Sequence, residues 1–212
     1  MLETINFSSA DTLYVLGDVL DRGPHPEKIL ADLRRRPNAV LLLGNHERMA
    51  LAVLEDLLSD DPNLCAAPDR VEHWFRNGGE ETLRVFRELP PTEQADLIAY
   101  LKNLPPYRIV SLNGKTFVLV HAGLRPCKTT EEIAQIPVHD LCWFRPDPEI
   151  PVFEDPSVYT VFGHTPTVYY RGRYEILQRS RNICIDCGAA FSGGKLACLR
   201  LDDLTEFYVW PR

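Results

Sequence analysis

Over the first sixty residues, short apolar runs of strand length alternate with segments whose apolar residues recur at helical spacing. This alternation constrains the fold more than any other feature of the sequence. Short apolar runs at 12–16 and 39–43 have the length of buried strands, and each ends at a glycine followed by a polar residue. Apolar residues at helical spacing follow each run, over 26–36 and over 46–58. A repeated strand–loop–helix order predicts a parallel sheet.

The remainder of the chain predicts a mixed α/β fold. Residues 60–105 are helical in pattern and more polar, which indicates a helical cap inserted between sheet elements. We expect one domain over 1–212, with a mixed-sheet β-sandwich flanked by helices. Asn113–Gly114 predicts a hairpin turn. Strands are predicted at 107–112, 115–121, 158–162, 182–186, 195–201 and 206–209.

Two segments predict little regular structure. The Pro-rich stretch 137–156 is expected to be irregular, and it is expected to shape a substrate cleft together with the helical insert. The aromatic and basic patch 169–173 is interpreted as a solvated strand or turn.

Composition excludes several classes of protein. Apolar residues make up 45% and charged residues 25% of the chain, which excludes a disordered chain. The net charge of −7 disfavours nucleic acid and anionic membranes as partners. No apolar run has the length of a membrane span, and the N-terminus does not resemble a signal peptide. We therefore expect a cytoplasmic protein.

Cysteine usage agrees with a reducing compartment, because six cysteines in 212 residues are too few for a disulfide scaffold. Cys184 and Cys187 form a C-x-x-C pair that is interpreted as packing residues, because a zinc ribbon needs a second pair. Cys127 lies near His121 in the sequence, and it is expected to make activity sensitive to oxidation if it lies in the cleft.

Four polar residues follow predicted strands directly. They are Asp18, Asn45, His121 and His164, and each lies beside a glycine or an alanine–glycine pair. Ligands of open α/β sheets bind beyond the carboxyl ends of strands. A lone residue of this kind is ordinarily a turn, a helix cap or a core histidine. One carboxylate, one amide and two imidazoles in this order predict a site for manganese, iron or zinc.

These clusters carry a resemblance to a known family. The motifs GDVLDRG (17–23), GNHE (44–47), HAG (121–123) and GHT (163–165) resemble the phosphoprotein phosphatase branch of the calcineurin-like metallophosphoesterases. The resemblance covers nearly the whole chain and implies the metallophosphatase fold. The bacterial members that it resembles include serine/threonine phosphatases and symmetrical diadenosine tetraphosphate hydrolases. Three further segments are similar to those members, namely NGGEET (77–82), WFR (143–145) and residues 185–201.

The resemblance implies a metal site. Asp18 is expected to bridge two divalent metals, and Asn45, His121 and His164 are expected to complete the shell of one of them. Manganese is the metal that the resemblance implies, with iron and zinc as alternatives. Two adjacent metals would lower the pKa of a shared water and clamp phosphoryl oxygens.

The resemblance also assigns roles in catalysis and substrate binding. His46 is expected to donate a proton to the leaving group, and Asp21 is expected to orient that histidine. Arg22 and Arg145 are expected to bind phosphate oxygens, because a guanidinium fork matches phosphate geometry. The alternative for the Asp21–Arg22 pair is a local salt bridge, which is worth little at a surface.

The chain departs from the family at one motif. The family has a G-D-x-H-G motif at the end of its first strand, and the seventeen residues before Asp18 contain no histidine. This predicts a missing first strand, an impaired second metal site and weak or absent activity unless an upstream segment is restored. A sheet edge exposed in this way is expected to promote self-association. A truncated chain that starts at an internal methionine and a natural short form both remain open.

The expected function is metal-dependent hydrolysis of a phosphoester, with phosphoserine or phosphothreonine in proteins as the leading substrate. Small phosphoesters are also expected as substrates. The first alternative is hydrolysis of diadenosine tetraphosphate or another dinucleoside polyphosphate. The second alternative is an inactive, truncated phosphatase-like module that binds phosphorylated partners through Arg22 and Arg145.

Overall fold

The structure is a computed structural model of the 212-residue chain, and it describes residues 1–58 and 67–210. The chain divides into two compact units. One unit comprises Leu13–Pro105, and the other comprises Met1–Thr12 together with Pro106–Arg212. The beginning of the predicted helical insert lies outside the described residues, as does Cys65.

The unit Leu13–Pro105 begins with the predicted strand–helix repeat. Strands β1 (Leu13–Val15) and β2 (Ala39–Leu41) pair in parallel. Helix α1 (Pro26–Arg35) follows the first strand, and helix α2 (Asn45–Leu58) follows the second. Proline at the first position of α1 is compatible with a helix start, because the N–H that it lacks would have had no intrahelical partner.

Three more helices complete this unit. Helices α3 (Pro68–Arg76), α4 (Glu80–Glu88) and α5 (Pro91–Lys102) are all in contact with α2. Trp74 of α3 is fully buried. The helical prediction for the middle of the chain is therefore confirmed over the described part of the insert.

The second unit contains a mixed five-stranded sheet. Its central strands β4 (Lys115–Val120), β5 (Val158–Phe162) and β7 (Asn182–Cys184) are parallel. Strands β3 (Tyr107–Leu112) and β6 (Leu177–Arg179) are antiparallel edge strands, so the order is β3-β4-β5-β7-β6. The mixed α/β class and the mixed sheet are confirmed.

Two hairpin features in this unit also agree with the sequence. Asn113 and Gly114 both have positive φ angles, of 51° and 73°, as a type I′ turn requires. The last two predicted strands form a separate antiparallel pair, β8 (Leu196–Leu199) and β9 (Glu206–Val209).

The core of the second unit lies against the strands that lead to HAG and GHT. Val118 and Val120 of β4 pack in the same buried cluster as Phe162 of β5. The first of these strands ends directly before His121, and the second ends two positions before His164, with Gly163 between. A packed core therefore fixes the starting points of both loops.

Two helices occur where no helix was predicted, and both corrections have a physical reason. Helix α6 (Val138–Trp143) lies inside the Pro-rich stretch, and Pro137 precedes it as the N-cap. Helix α7 (Val168–Arg171) overlaps the patch 169–173 and ends at Gly172, which has a φ of 72°. Helices of six and four residues are too short to show a helical hydrophobic period.

A 3₁₀ helix at Thr130–Gln135 and strand β6 were also not predicted. The described residues 1–12 contain turns and no strand, with Ile5 N–H donating to the carbonyl of Met1. Among the described residues, no helix is long and apolar enough to cross a bilayer.

Candidate functional site

The loop after β1 has an unusual backbone. Gly17 has a φ of 90°, and Asp18, Asp21 and Arg22 have φ angles of 57°, 66° and 57°. Non-glycine residues rarely adopt this left-handed region, and their cost must be offset by the surroundings. Three such residues within five positions indicate a loop whose shape is imposed by its contacts.

Glu47 supplies those contacts. Its fully buried carboxylate accepts backbone hydrogen bonds from Asp18 (2.8 Å), Val19 (2.8 Å) and Leu20 (3.2 Å). It also accepts the N–H of Gly44 at 3.0 Å, which is the return bond of a capping box at the start of α2. Glu47 is part of the GNHE motif, but no role was predicted for it from the sequence.

Glycine is required at position 44 because the two loops meet there. A Cβ atom at Gly44 would overlap the Oδ1 of Asp18 and the Oε2 of Glu47. The Oδ1 of Asp18 accepts the backbone N–H of His46 at 3.2 Å. The Asp18 carboxylate therefore lies at the N-terminus of α2, where the helix dipole favours negative charge. Asn45, the first residue of that helix, is buried.

His46 and Asp21 form a buried pair. The Nδ1 of His46 lies 2.6 Å from the Oδ2 of Asp21, and the histidine is 2% exposed. Because a carboxylate accepts, this contact places a proton on Nδ1 and directs Nε2 away from Asp21. The contact with Asp21 therefore fixes the orientation of the His46 ring.

Asp21 is itself held by two donors that the sequence analysis missed. The indole N–H of Trp74 donates to Oδ2 at 2.9 Å, and the hydroxyl of Thr82 donates to Oδ1 at 2.7 Å. The backbone N–H of Asp21 returns a bond to the Thr82 hydroxyl oxygen at 2.9 Å. A carboxylate with this many donors is fixed in one rotamer, and its charge is compensated inside the protein.

Arg22 is held by the turn that precedes α4. Its Nε–H donates to the carbonyl of Asn77 at 3.3 Å, and its backbone N–H donates to the carbonyl of Gly78 at 3.1 Å. A Cβ atom at Gly78 would lie 2.8 Å from the Cγ of Arg22. These contacts explain the glycine at position 78, and Arg22 remains exposed.

In the second unit, His121 and His164 are neighbours. Their ring centroids lie 5.2 Å apart in an edge-on arrangement, and one ring nitrogen of each lies within 4.8 Å of one of the other. They follow the adjacent parallel strands β4 and β5, and the N–H of Gly163 donates to the carbonyl of His121 at 2.8 Å. The HAG and GHT loops therefore lie side by side.

The WFR segment joins these two loops. The backbone N–H of Gly123 donates to the carbonyl of Phe144 at 3.1 Å, and the ring of Trp143 stands edge-on to His164 at 5.6 Å. The guanidinium of Arg145 donates from Nη1 to the hydroxyl of Thr165 at 2.7 Å. Arg145 is exposed and lies next to the GHT loop.

The cysteines behave mainly as packing residues. Cys184 and Cys187 are buried, and burial raises the pKa of the Cys187 thiol to about 11. Burial also raises the pKa of Cys127, which lines a cavity of about 430 Å³ with Gly123 and Phe144. The interpretation of the C-x-x-C pair as packing is therefore confirmed.

The structure gathers the predicted site residues into two local groups. Asp18, Asp21, Arg22, Asn45 and His46 lie in the unit Leu13–Pro105. His121, Arg145 and His164 lie in the other unit.

A comparison with known protein families shows to which family the chain belongs. The calcineurin-like phosphoesterase family matches residues 1–191. The chain belongs to the calcineurin-like phosphoesterases. The resemblance seen in the motifs is therefore confirmed, and the family to which the chain belongs uses divalent metals.

Two curated relatives are named as enzymes with different substrates. A symmetrical bis(5′-nucleosyl)-tetraphosphatase of Acidovorax ebreus is 34% identical over 142 residues, which is 62% of this chain and 41% of that protein. Serine/threonine-protein phosphatase 1 of Salmonella typhimurium is 29% identical over 195 residues, which is 90% of this chain and 79% of that protein. The match spans about two fifths of the tetraphosphatases.

One solved structure, a hypothetical protein of Pyrococcus horikoshii, aligns with a TM-score of 0.45 and 13% identity. That alignment covers 94% of this chain and 74% of the other. A TM-score of this size adds no support for the fold.

Proposed function

We propose that this calcineurin-like phosphoesterase hydrolyses phosphoesters with the help of a divalent metal. The observation that carries the proposal is the buried His46–Asp21 pair, with Trp74 and Thr82 donating to the carboxylate. A histidine oriented in this way is a suitable general acid near neutral pH. Membership of the family supports the same reaction class.

Asp18, Asn45, His121 and His164 are the proposed metal ligands. Their carboxylate, amide and imidazole groups suit manganese, with iron and zinc as alternatives. Two local arrangements support the proposal: Glu47 holds the Asp18 loop, and His121 and His164 stand side by side. A divalent cation, when bound, supplies positive charge for the phosphoryl oxygens and makes water more acidic.

The protein's own groups would perform the remaining steps. His46 would hold a proton at Nε2 and pass it to the oxygen of the leaving group, while Asp21 compensates the charge of the ring. Arg22 and Arg145 would bind phosphoryl oxygens through their N–H forks. The carbonyl of Asn77 and the hydroxyl of Thr165 limit how far these side chains can move.

Phosphoserine and phosphothreonine in proteins are the proposed substrates. The support is the similarity to serine/threonine-protein phosphatase 1, which extends over 79% of that relative. Dinucleoside tetraphosphates are the second candidate, and the higher identity of 34% to a symmetrical tetraphosphatase favours them. The insert helices and the segment 137–156 are proposed to shape the substrate cleft.

A paired assay tests the proposal. Turnover of a phosphothreonine peptide and of diadenosine tetraphosphate is measured with manganese, and Asp18→Asn serves as the control. We expect turnover of the peptide to exceed that of the dinucleotide and to vanish in the control. Faster turnover of the dinucleotide would support the second candidate. Peptide affinity without any turnover would support a binding module.

Metal analysis tests the ligand set separately. We expect about one manganese ion per 212-residue chain, because the second site is proposed to be impaired, and we expect loss of that ion in His121→Ala. Two ions per chain would contradict the impaired second site.

Cytoplasmic location and self-association remain predictions. Within the described part of the chain, β1 and β2 pair as strands only with each other, and a strand edge that is open to solvent can pair with a second chain. Light scattering of the purified chain tests self-association, and a monomer at all concentrations would contradict it.

A further inference from the structure

Two side-chain hydrogen bonds hold the segment that contains Arg145. The Nη1 of Arg145 donates to the hydroxyl of Thr165 at 2.7 Å. The hydroxyl of Tyr170 donates to the carbonyl of Pro146 at 3.2 Å. Pro146 directly follows Arg145, so this second bond holds the backbone beside the arginine.

The direction of each bond follows from the groups that take part. A carbonyl only accepts, so the Tyr170 proton lies on the bond to Pro146. A guanidinium only donates, so the Thr165 hydroxyl oxygen is the acceptor of the bond from Arg145. The two bonds use different groups, so both can exist together.

The two hydroxyls stand on rigid parts of the fold. Thr165 is 5% exposed, its N–H donates to the carbonyl of Gly163 at 2.7 Å, and its carbonyl accepts the thiol of Cys184 at 3.4 Å. Tyr170 packs against the core cluster that contains Phe162. The patch 169–173, interpreted from the sequence as solvated, thus contains one partly buried tyrosine that packs against the core.

Thr165 is also suited to Arg145 in its chemistry. A neutral hydroxyl holds one of the five N–H groups of the guanidinium without compensating its positive charge. A carboxylate in the same place would compensate that charge and would repel a phosphate. The arrangement fixes a long side chain that lies at the surface, and leaves its charge available.

We propose that Thr165 and Tyr170 are positioning residues that hold the Arg145 guanidinium in place for an oxygen of the substrate phosphoryl group. The proposal rests on the proposed function, because it takes Arg145 to bind phosphate. It adds the two residues that set the affinity of Arg145 for that group.

The test compares matched variants in two measurements. Hydrolysis of p-nitrophenyl phosphate with manganese gives KM and kcat, and calorimetry gives the affinity for inorganic phosphate. For Thr165→Val we expect KM and the phosphate Kd to rise about tenfold, with a smaller change in kcat. Thr165→Ser keeps the hydroxyl and should restore both values. Tyr170→Phe should raise both by about threefold.

A double-mutant comparison separates positioning from a structural effect. If Thr165 acts through Arg145, Thr165→Val should change nothing further in a chain that already carries Arg145→Ala. A full tenfold effect in that background would overturn the proposal. Equal effects of Thr165→Val and Thr165→Ser would also overturn it.

The phosphate affinity measured by calorimetry shows whether the hydrolase proposal, the positioning proposal or both are wrong. A wild-type chain that binds phosphate but has no turnover removes the hydrolase proposal, and the variants still test Thr165 and Tyr170 through Kd. A wild-type chain with turnover and unchanged variants overturns the positioning proposal alone. A wild-type chain with neither turnover nor phosphate binding overturns both.

Discussion

The carboxylate of Glu47 accepts the backbone N–H of Asp18 at 2.8 Å across 29 positions of sequence. The same carboxylate accepts three more backbone N–H groups, from Val19, Leu20 and Gly44. The side chain therefore joins the loop after β1 to the start of α2. It offsets the cost of the left-handed backbone at Asp18.

Replacing Glu47 by glutamine tests this role. Glutamine has one acceptor oxygen and one donor nitrogen. Some of the four backbone N–H groups that Glu47 accepts would therefore lose their acceptor. We expect Glu47→Gln to lower the free energy of unfolding by about 2–4 kcal/mol. Urea unfolding with an unchanged m-value measures the loss.

The matched control is Glu72→Gln, which removes an exposed ion pair with Arg76 on α3. Such pairs contribute about 0–1 kcal/mol. Equal losses in the two variants would show that Glu47 does not hold the loop.

Asp21→Asn tests the proposed acid. We expect kcat to fall by about 10²-fold or more, because the carboxylate that orients His46 and compensates its charge is lost. The loss should be larger for phenyl phosphate than for p-nitrophenyl phosphate, since the poorer leaving group depends more on proton donation. Asp32→Asn, at an exposed site on α1, is the control. Equal losses with both substrates would contradict a role in protonating the leaving group.

Gly123→Ala tests the contact between the HAG loop and the WFR segment. A Cβ atom at Gly123 would overlap the ring of Pro146. We expect a loss of about 1–3 kcal/mol in unfolding free energy and a higher KM, because Arg145 precedes that proline.

Gly163→Ala is the matched control for this contact, because its Cβ would meet the nearest atoms at 3.6 Å, an ordinary van der Waals distance. We expect its stability to change by less than about 0.5 kcal/mol. Similar melting temperatures for the two variants would count against the clash.

Thiol reactivity tests the protonation of the cysteines. Burial raises the pKa of Cys127 and of Cys187, the latter to about 11, and a raised pKa lowers the thiolate fraction at a given pH. In a Cys65→Ser chain, we expect alkylation at pH 8 to be slower than that of a free cysteine, and to accelerate as the pH rises toward 11. Rapid alkylation of Cys187 at pH 7 would contradict its burial.

The sequence predicted the elements that carry long periodic patterns. The strand–helix repeat through α2 and the hairpin at Asn113–Gly114 have local signals of period and turn chemistry, and both were confirmed. Helices α6 and α7 were missed, because six and four residues are too few to show a helical period. In addition, α6 lies in a Pro-rich stretch, which is typical of irregular structure. For helices, the local pattern is therefore informative only where the helix is long.

In the candidate site too, the residues in sequence motifs were predicted, and the residues that support them through tertiary contacts were not. The resemblance assigned Asp21 and His46 to a pair, and in the structure the Nδ1 of His46 lies 2.6 Å from the Oδ2 of Asp21. Trp74 and Thr82 were missed because their contacts with Asp21 span 53 and 61 positions, and no local pattern connects them. Residues that support a site through tertiary contacts leave little trace in a single sequence.

The groups that hold His46 lie in residues 13–105, whereas those that hold Arg145 lie in residues 106–210. Neither set shares a partner with the other in the contacts described above. If their effects on free energy add, a substitution in one set leaves the contribution of the other set unchanged. Over evolutionary time, the preference for a phosphate group and the ability to release a given alcohol can then diverge separately, which would let relatives of one ancestry acquire different substrates.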